Sequence, residues 1–174
     1  MEALFHVSDQ PGITRFEPRP PPSASSGQKG HMVWAVGQRL LHNYLVPRDC
    51  PRVTFYAGPQ TNAADAERFL RISAASHVVV IETAWLERLR QERLYLYALP
   101  NDTFQPVDGG AGYYISRRTI TPTGMEPVDD ILATLAARDV EVRITPSLWP
   151  LRDAVLASTM QFSFIRMRNA APQP

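Results

Sequence analysis

Lysine is almost missing from this chain. Of 18 basic residues only Lys29 is a lysine, and the other 17 are arginine. Cysteine is limited to Cys50, which excludes an internal disulfide framework and a multi-thiolate zinc site. Charge of one sign is not in excess. Eighteen basic against 17 acidic residues leave a net +1, too little for a global pull toward nucleic acid or an anionic membrane. Direct nucleic-acid binding therefore ranks last, resting only on a local patch such as Arg166 and Arg168. No apolar run approaches the roughly 18 residues of a membrane span, so no membrane partner is expected. Met1-Glu2-Ala3-Leu4 shows no basic stretch leading into an apolar one, and a cytoplasmic location is the expectation. The phosphate loop, G-x-G-x-x-G, H-E-x-x-H and G-x-S-x-G are all absent. His31, His42 and His77 have no ligand-like spacing to one another or to His6, so no metal site is expected.

What is present is a globular composition. The 174 residues are 44% hydrophobic and 20% charged, enough for one domain with a buried core. Proline outnumbers glycine, 16 to 9. A GC-rich genome, favouring arginine, proline and alanine codons, accounts for both biases. The alternative is that certain arginines serve bidentate anion recognition, which lysine does poorly.

Short strands alternate with short helices along the chain. Strands are expected at Leu4–Val7, Met32–Val36, Arg52–Tyr56, His77–Ile81, Leu94–Leu99, Tyr113–Ile115, Thr119–Thr121, Val140–Thr145 and Phe162–Met167. The run His77-Val78-Val79-Val80-Ile81 suggests burial on both faces. Helical spacing marks Gln38–Leu45, a segment opened by Asn62, one capped by Thr83 and one over Ser147–Ser158. Pro127 opens the clearest helix, with Val128, Ile131, Leu132 and Leu135 at i, i+3, i+4, i+7. The expected fold is α+β: a single domain over residues 1–169 with a mixed, mainly antiparallel sheet and four or five short helices. Residues 18–31 form a proline-, serine- and glycine-rich loop, mobile at its Ser/Gly end, and 170–174 form a loose tail.

Three places suit chemistry. In His6-Val7-Ser8 the strand alternation sets His6 and Ser8 on one face, either as a hydrogen-bonded sheet rim or as a ligand-facing pair. Arg15 and Arg19 follow closely and would close over an anion. The glycines of Gly109-Gly110-Ala111-Gly112 permit either a hairpin or close backbone approach to a ligand. Beyond them, Tyr113 or Tyr114 would stack a base while Arg118 holds phosphate. In Glu141-Val142-Arg143, the glutamate is either half of a same-face ion pair or a general base.

Two resemblances add to this reading. The segments Leu4-Phe5-His6-Val7-Ser8, Pro18-Arg19-Pro20, Val33-Trp34-Ala35, Pro51-Arg52-Val53-Thr54-Phe55, Tyr113-Tyr114-Ile115-Ser116-Arg117, Pro146-Ser147-Leu148-Trp149-Pro150 and Arg166–Ala170 resemble a family of uncharacterised bacterial proteins. The strand carrying His6, with Ser8 two residues on, is similar to the first strand of ADP-ribosyltransferase-like domains. That likeness implies NAD or a related nucleotide as cofactor, His6 and Glu141 as catalytic residues, and Trp34, Tyr113 or Tyr114 around the nicotinamide end. The E-x-E pair and S-T-S strand of the arginine-specific transferases are not present. The leading expectation is a binding or transferase domain for a small phosphorylated or nucleotide-like ligand. The alternative is a non-catalytic interaction domain, including a self-associating homo-oligomer.

Overall fold

The structure, a computed structural model, describes residues 2–21 and 27–173. Residues 22–26 of the proline-rich loop and Pro174 of the tail lie outside the described residues. In chain order the strands are β1 Leu4–Ser8, β2 Val33–Gly37, β3 Arg52–Tyr56, β4 His77–Glu82 and β5 Leu94–Leu99. They continue as β6 Gln105–Asp108, β7 Tyr113–Ser116, β8 Gly124–Val128, β9 Val140–Thr145 and β10 Gln161–Ile165. The α-helices are α1 Ala63–Leu70, α2 Leu86–Gln91, α3 Ile131–Ala136 and α4 Trp149–Leu156, with short 3-10 segments at Gln38–Tyr44, Thr83–Trp85 and Met167–Asn169. The class is α+β, and seven of the eight strand pairings are antiparallel. The chain divides into two compact units, residues 1–41 with 94–128 and residues 42–93 with 129–174.

The first unit is one sheet in the order β6-β7-β2-β1-β5-β8, with every pairing antiparallel. Strand alternation gives it two chemically distinct faces. Leu4, Val33, Ala35, Tyr97 and Leu99 share one face with Phe16 and Ile120 in a single apolar cluster. Phe16 belongs to the loop after β1, which bends back over this face. It is fixed there by Phe16 N–H to Ile120 O at 2.8 Å and by Ile120 N–H to Phe16 O at 3.0 Å. Thr119–Thr121, expected as a strand, makes only this isolated bridge.

The second unit is a four-stranded sheet, β10-β3-β4-β9, in which β4 and β9 are parallel. Val78 and Val80 pack with Val53, Phe55, Phe69, Leu148, Val155 and Met160, while Val79 and Ile81 are equally inaccessible on the other face. The unbroken apolar run thus corresponds to a strand buried on both sides. Each such side chain contributes about 1.5–3 kcal/mol by leaving water. Two charges are buried with their polar needs met. Arg52 is 3% exposed and donates to Asn43 O at 2.9 Å and Cys50 O at 2.8 Å. Glu82 is 2% exposed and accepts from the N–H groups of Leu148 at 3.2 Å and Ala171 at 2.9 Å. The Trp149 indole N–H donates to Ala171 O at 2.7 Å, so the start of the tail is held at both backbone groups.

The helix assigned to Pro127 begins later than its sequence suggests. Pro127 and Val128 end β8, opposite Tyr95 and Leu94. Asp130 is the cap, its side chain accepting from the Ala133 N–H at 2.9 Å, and helix α3 starts at Ile131. A side-chain acceptor for the first free N–H groups outcompetes a proline already engaged at a sheet edge.

Candidate functional site

His6 lies on the covered face of the first sheet, directly across from Tyr97, and Ser8 is across from Tyr95. The β1–β2 ladder reaches only Phe5 opposite Val36. Just beyond, the His6 imidazole Nδ1 is 3.0 Å from Trp34 O, where the ladder no longer continues. Its ring packs on Phe16 at 4.7 Å between centroids, and Phe16 meets Tyr97 edge-on at 5.3 Å. The Tyr97 hydroxyl donates to Gln10 O at 2.7 Å and accepts from the Ile13 N–H at 3.0 Å. Together these contacts fasten the segment that carries Arg15 and Arg19. Tyr97, which the sequence reading passed over, is signalled there only by the alternation Leu94-Tyr95-Leu96-Tyr97.

The aromatic candidates separate. Tyr114 lies opposite Ala35 on the covered face, and its hydroxyl donates to a Glu2 carboxylate oxygen at 2.9 Å. That hydrogen bond, with burial and the carboxylate charge behind it, raises the Tyr114 phenol above its usual range. Tyr113 lies opposite Val36 on the other face, where its ring meets Trp34 edge-on at 5.3 Å. The glycine cluster is a hairpin turn between β6 and β7, closed by the Asp108 carboxylate accepting from the Gly110 and Ala111 N–H groups. Gly112 has φ +69°, and a Cβ there would come within 3.0 Å of Leu40, so its glycine answers a packing demand. The concavity beside it, lined by Glu2, Arg39, Leu40, Tyr113 and Tyr114, holds about 80 Å³. Ligand pockets run roughly 300–1,000 Å³.

Several arginines lie on segments that meet near the start of β2. Phe16 makes an isolated antiparallel bridge with Ile120, and next to it Thr119 Oγ1 donates to Glu17 at 2.6 Å. Arg19 also exchanges two backbone hydrogen bonds with Met32, at 3.0 and 2.9 Å. The β2–β7 ladder ends at Val33 opposite Ser116, and Arg117 and Arg118 follow directly on the chain. Both segments thus reach the start of β2, Arg19 through its pairing with Met32 and Arg117 as the residue after Ser116, the partner of Val33. Lys29 is tied to the same place, because Arg117 Nη1 donates to its carbonyl at 3.0 Å. Gly30, at φ +85°, leaves room for that guanidinium, which lies 2.9 Å from where a Cβ would stand. Arg15 is engaged with Glu17 at 2.7 Å. The Thr119 hydroxyl, and then Arg15, hold the Glu17 carboxyl below the usual carboxylate range. Among the described residues no ion pair engages Arg19, Lys29, Arg117 or Arg118.

Glu141 belongs to the second unit, on β9. Its carboxylate accepts from Arg143 Nε at 2.7 Å and Nη2 at 3.4 Å, and Arg143 also donates to Phe69 O at 2.9 Å. The Arg143 hydrogen bonds, then one from Ser73, hold the Glu141 carboxyl below its ordinary value. This is the same-face ion pair that the i, i+2 spacing allows.

No cluster of three or more metal-ligating side chains occurs among the described residues. No described helix is long and apolar enough to cross a membrane. No curated protein and no solved structure matches the chain. One family pattern does match, over residues 5–170, from the His6 strand to the Ala170 segment beside the Glu82 and Trp149 contacts. The chain belongs to that family, a family of unknown function designated DUF6886.

Proposed function

We propose that the first unit is a binding domain for a small phosphorylated or nucleotide-like ligand, held by Arg19, Lys29, Arg117 and Arg118, with Arg15 at the margin. The observation that carries this is the bridge of Phe16 with Ile120, the pairing of Arg19 with Met32 and the hydrogen bond from Arg117 to Lys29 O, which bring near the start of β2 four cations that no ion pair engages among the described residues. A chain of net +1 has little long-range field, but a local cluster of guanidinium groups raises the potential at one edge and offers bidentate donors to phosphate oxygens. NAD or ADP-ribose is the ligand type that the His6-Val7-Ser8 resemblance brings in. His6 and Ser8 then act from beneath, on the face over which the arginine-bearing segment is folded. The engagement of His6 with Trp34 O and of Glu141 with Arg143 favours binding over group transfer in this reading.

The test is calorimetric titration with ADP-ribose and, separately, inorganic pyrophosphate at low and physiological salt. Saturable binding is expected, weakened at least tenfold in the double variant Arg19→Glu/Arg118→Glu and unchanged in Arg90→Glu on α2. His6→Ala should weaken it as well, through loosening of the Phe16 segment. Absence of heat and of thermal shift with both compounds at millimolar concentration would sink the reading. So would full affinity in the double variant.

A further inference from the structure

Each sheet has two edge strands, and three of the four are protected. Unpaired strand edges invite pairing with another chain, and proteins blunt them with charge or proline. β6 carries Pro106 and Asp108, β8 carries Glu126 and Pro127, and β9 carries Glu141 and Arg143. β10 carries none of these. Its residues are Gln161-Phe162-Ser163-Phe164-Ile165, and among the described residues its only strand partner is β3. Phe162 remains 36% exposed and stacks on Phe164 at 4.5 Å with an 18° interplanar angle.

We propose that β10 is a self-pairing edge, through which two copies of the chain form a two-fold dimer centred on Ser163. The strand is self-complementary in that register. Antiparallel pairing about Ser163 sets Phe162 across from Phe164 of the partner subunit and the reverse, giving two cross-strand aromatic pairs on one face. The charges at the strand's ends agree with it. At the N-terminal end Asp65 accepts from Thr159 N–H at 2.8 Å and Thr159 Oγ1 at 2.7 Å, anchoring a carboxylate there. At the C-terminal end Arg166 is within 3.9 Å of the Asp49 carboxylate, and the exposed Arg168 has no ion pair among the described residues. An antiparallel partner brings the Arg168 end of each copy over the Asp65 end of the other, whereas a parallel one would set Arg168 beside its own copy. A five-residue strand pair falls at the small end of interfaces, below about 1,200 Å² in total, so the expected dissociation constant is micromolar.

Sedimentation velocity between roughly 1 and 500 µM tests this. A concentration-dependent monomer–dimer equilibrium is expected, with Phe162→Lys weakening it at least tenfold while the circular dichroism spectrum stays that of the parent. Ser163→Cys gives a second reading that does not depend on tolerating a charge. Residues facing each other at the two-fold lie about 4.5–5.5 Å apart between Cα atoms, within disulfide reach, so diamide should link this variant through position 163. Phe162→Cys, one position off the axis, stands two positions along from its own copy, about 7–8 Å away, and should not link. A monomer at every concentration overturns the proposal. A dimer untouched by Phe162→Lys, or one in which Phe162→Cys links as readily as Ser163→Cys, overturns it too.

Discussion

Replacing Tyr97 by phenylalanine removes a single oxygen and asks how the arginine-bearing segment is held. Tyr97 is 1% exposed, and its hydroxyl serves two backbone groups of that segment, donating to Gln10 O and accepting from Ile13 N–H. The ring stays, so its edge-on contact with Phe16 and its place in the apolar cluster are unchanged. Each hydrogen bond contributes about 0.5–1.5 kcal/mol net. Two such losses come to about 2 kcal/mol for Tyr97→Phe, or roughly 4–8 °C in Tm for a chain of this length. Urea titration measures the stability change, and amide hydrogen exchange at Ile13 measures where it falls. Exchange at Ile13 should accelerate about thirtyfold, the equivalent of 2 kcal/mol, while exchange in β4 moves less. ADP-ribose affinity should fall too, because Arg19 is displayed by the loosened segment. A stability loss under about 0.5 kcal/mol with unchanged Ile13 exchange would refute the argument that this hydroxyl pins the segment.

Two further predictions concern the second unit. The Glu141 carboxyl is held below its unfolded value, first by Arg143, so its contribution is full above the ordinary carboxylate range and fades as pH falls through the folded value. Glu141→Gln should cost about 0.5–1 kcal/mol at pH 7, since both side chains are about a third exposed, and should flatten stability loss below about pH 4.5 in urea titrations across pH. A parallel downward shift of the whole pH profile would contradict this. Burial pushes the Cys50 thiol up to about 12, only partly offset by Arg52 and Arg88. Iodoacetamide at pH 8 should therefore leave Cys50 unmodified in the folded protein and alkylate it in urea, read by mass spectrometry; ready alkylation of the native state would show the thiol accessible.

Much of the fold is legible in local pattern. The apolar run of β4 reads as a doubly buried strand because two packed faces demand it, and the i, i+2 spacing of Glu141 and Arg143 reads as an ion pair because a strand alternates. Signals that compete locally were less decisive. Pro127 carries a helix-opening signal as strong as Asp130's cap, and only pairing with β5 decides between them. β6 and β8 carry no β-branched run, since their register comes from the neighbours β7 and β5.

The candidate site shows the same division. Alternation alone places His6 and Ser8 on one face and separates Tyr113 from Tyr114, because successive residues of a strand point to opposite sides. Composition alone marks arginine as the cation of this chain. Which segments carry neighbouring arginines was decided by tertiary structure: Phe16 and Ile120 are about a hundred positions apart in sequence, and a long-range backbone bridge joins them. The burial of Arg52 and Glu82, each satisfied by backbone groups from other segments, was likewise invisible until the chain closed on itself. Local sequence sets the period and therefore the faces. Which distant segments supply hydrogen bonds and opposing charge depends on the register in which those faces pack.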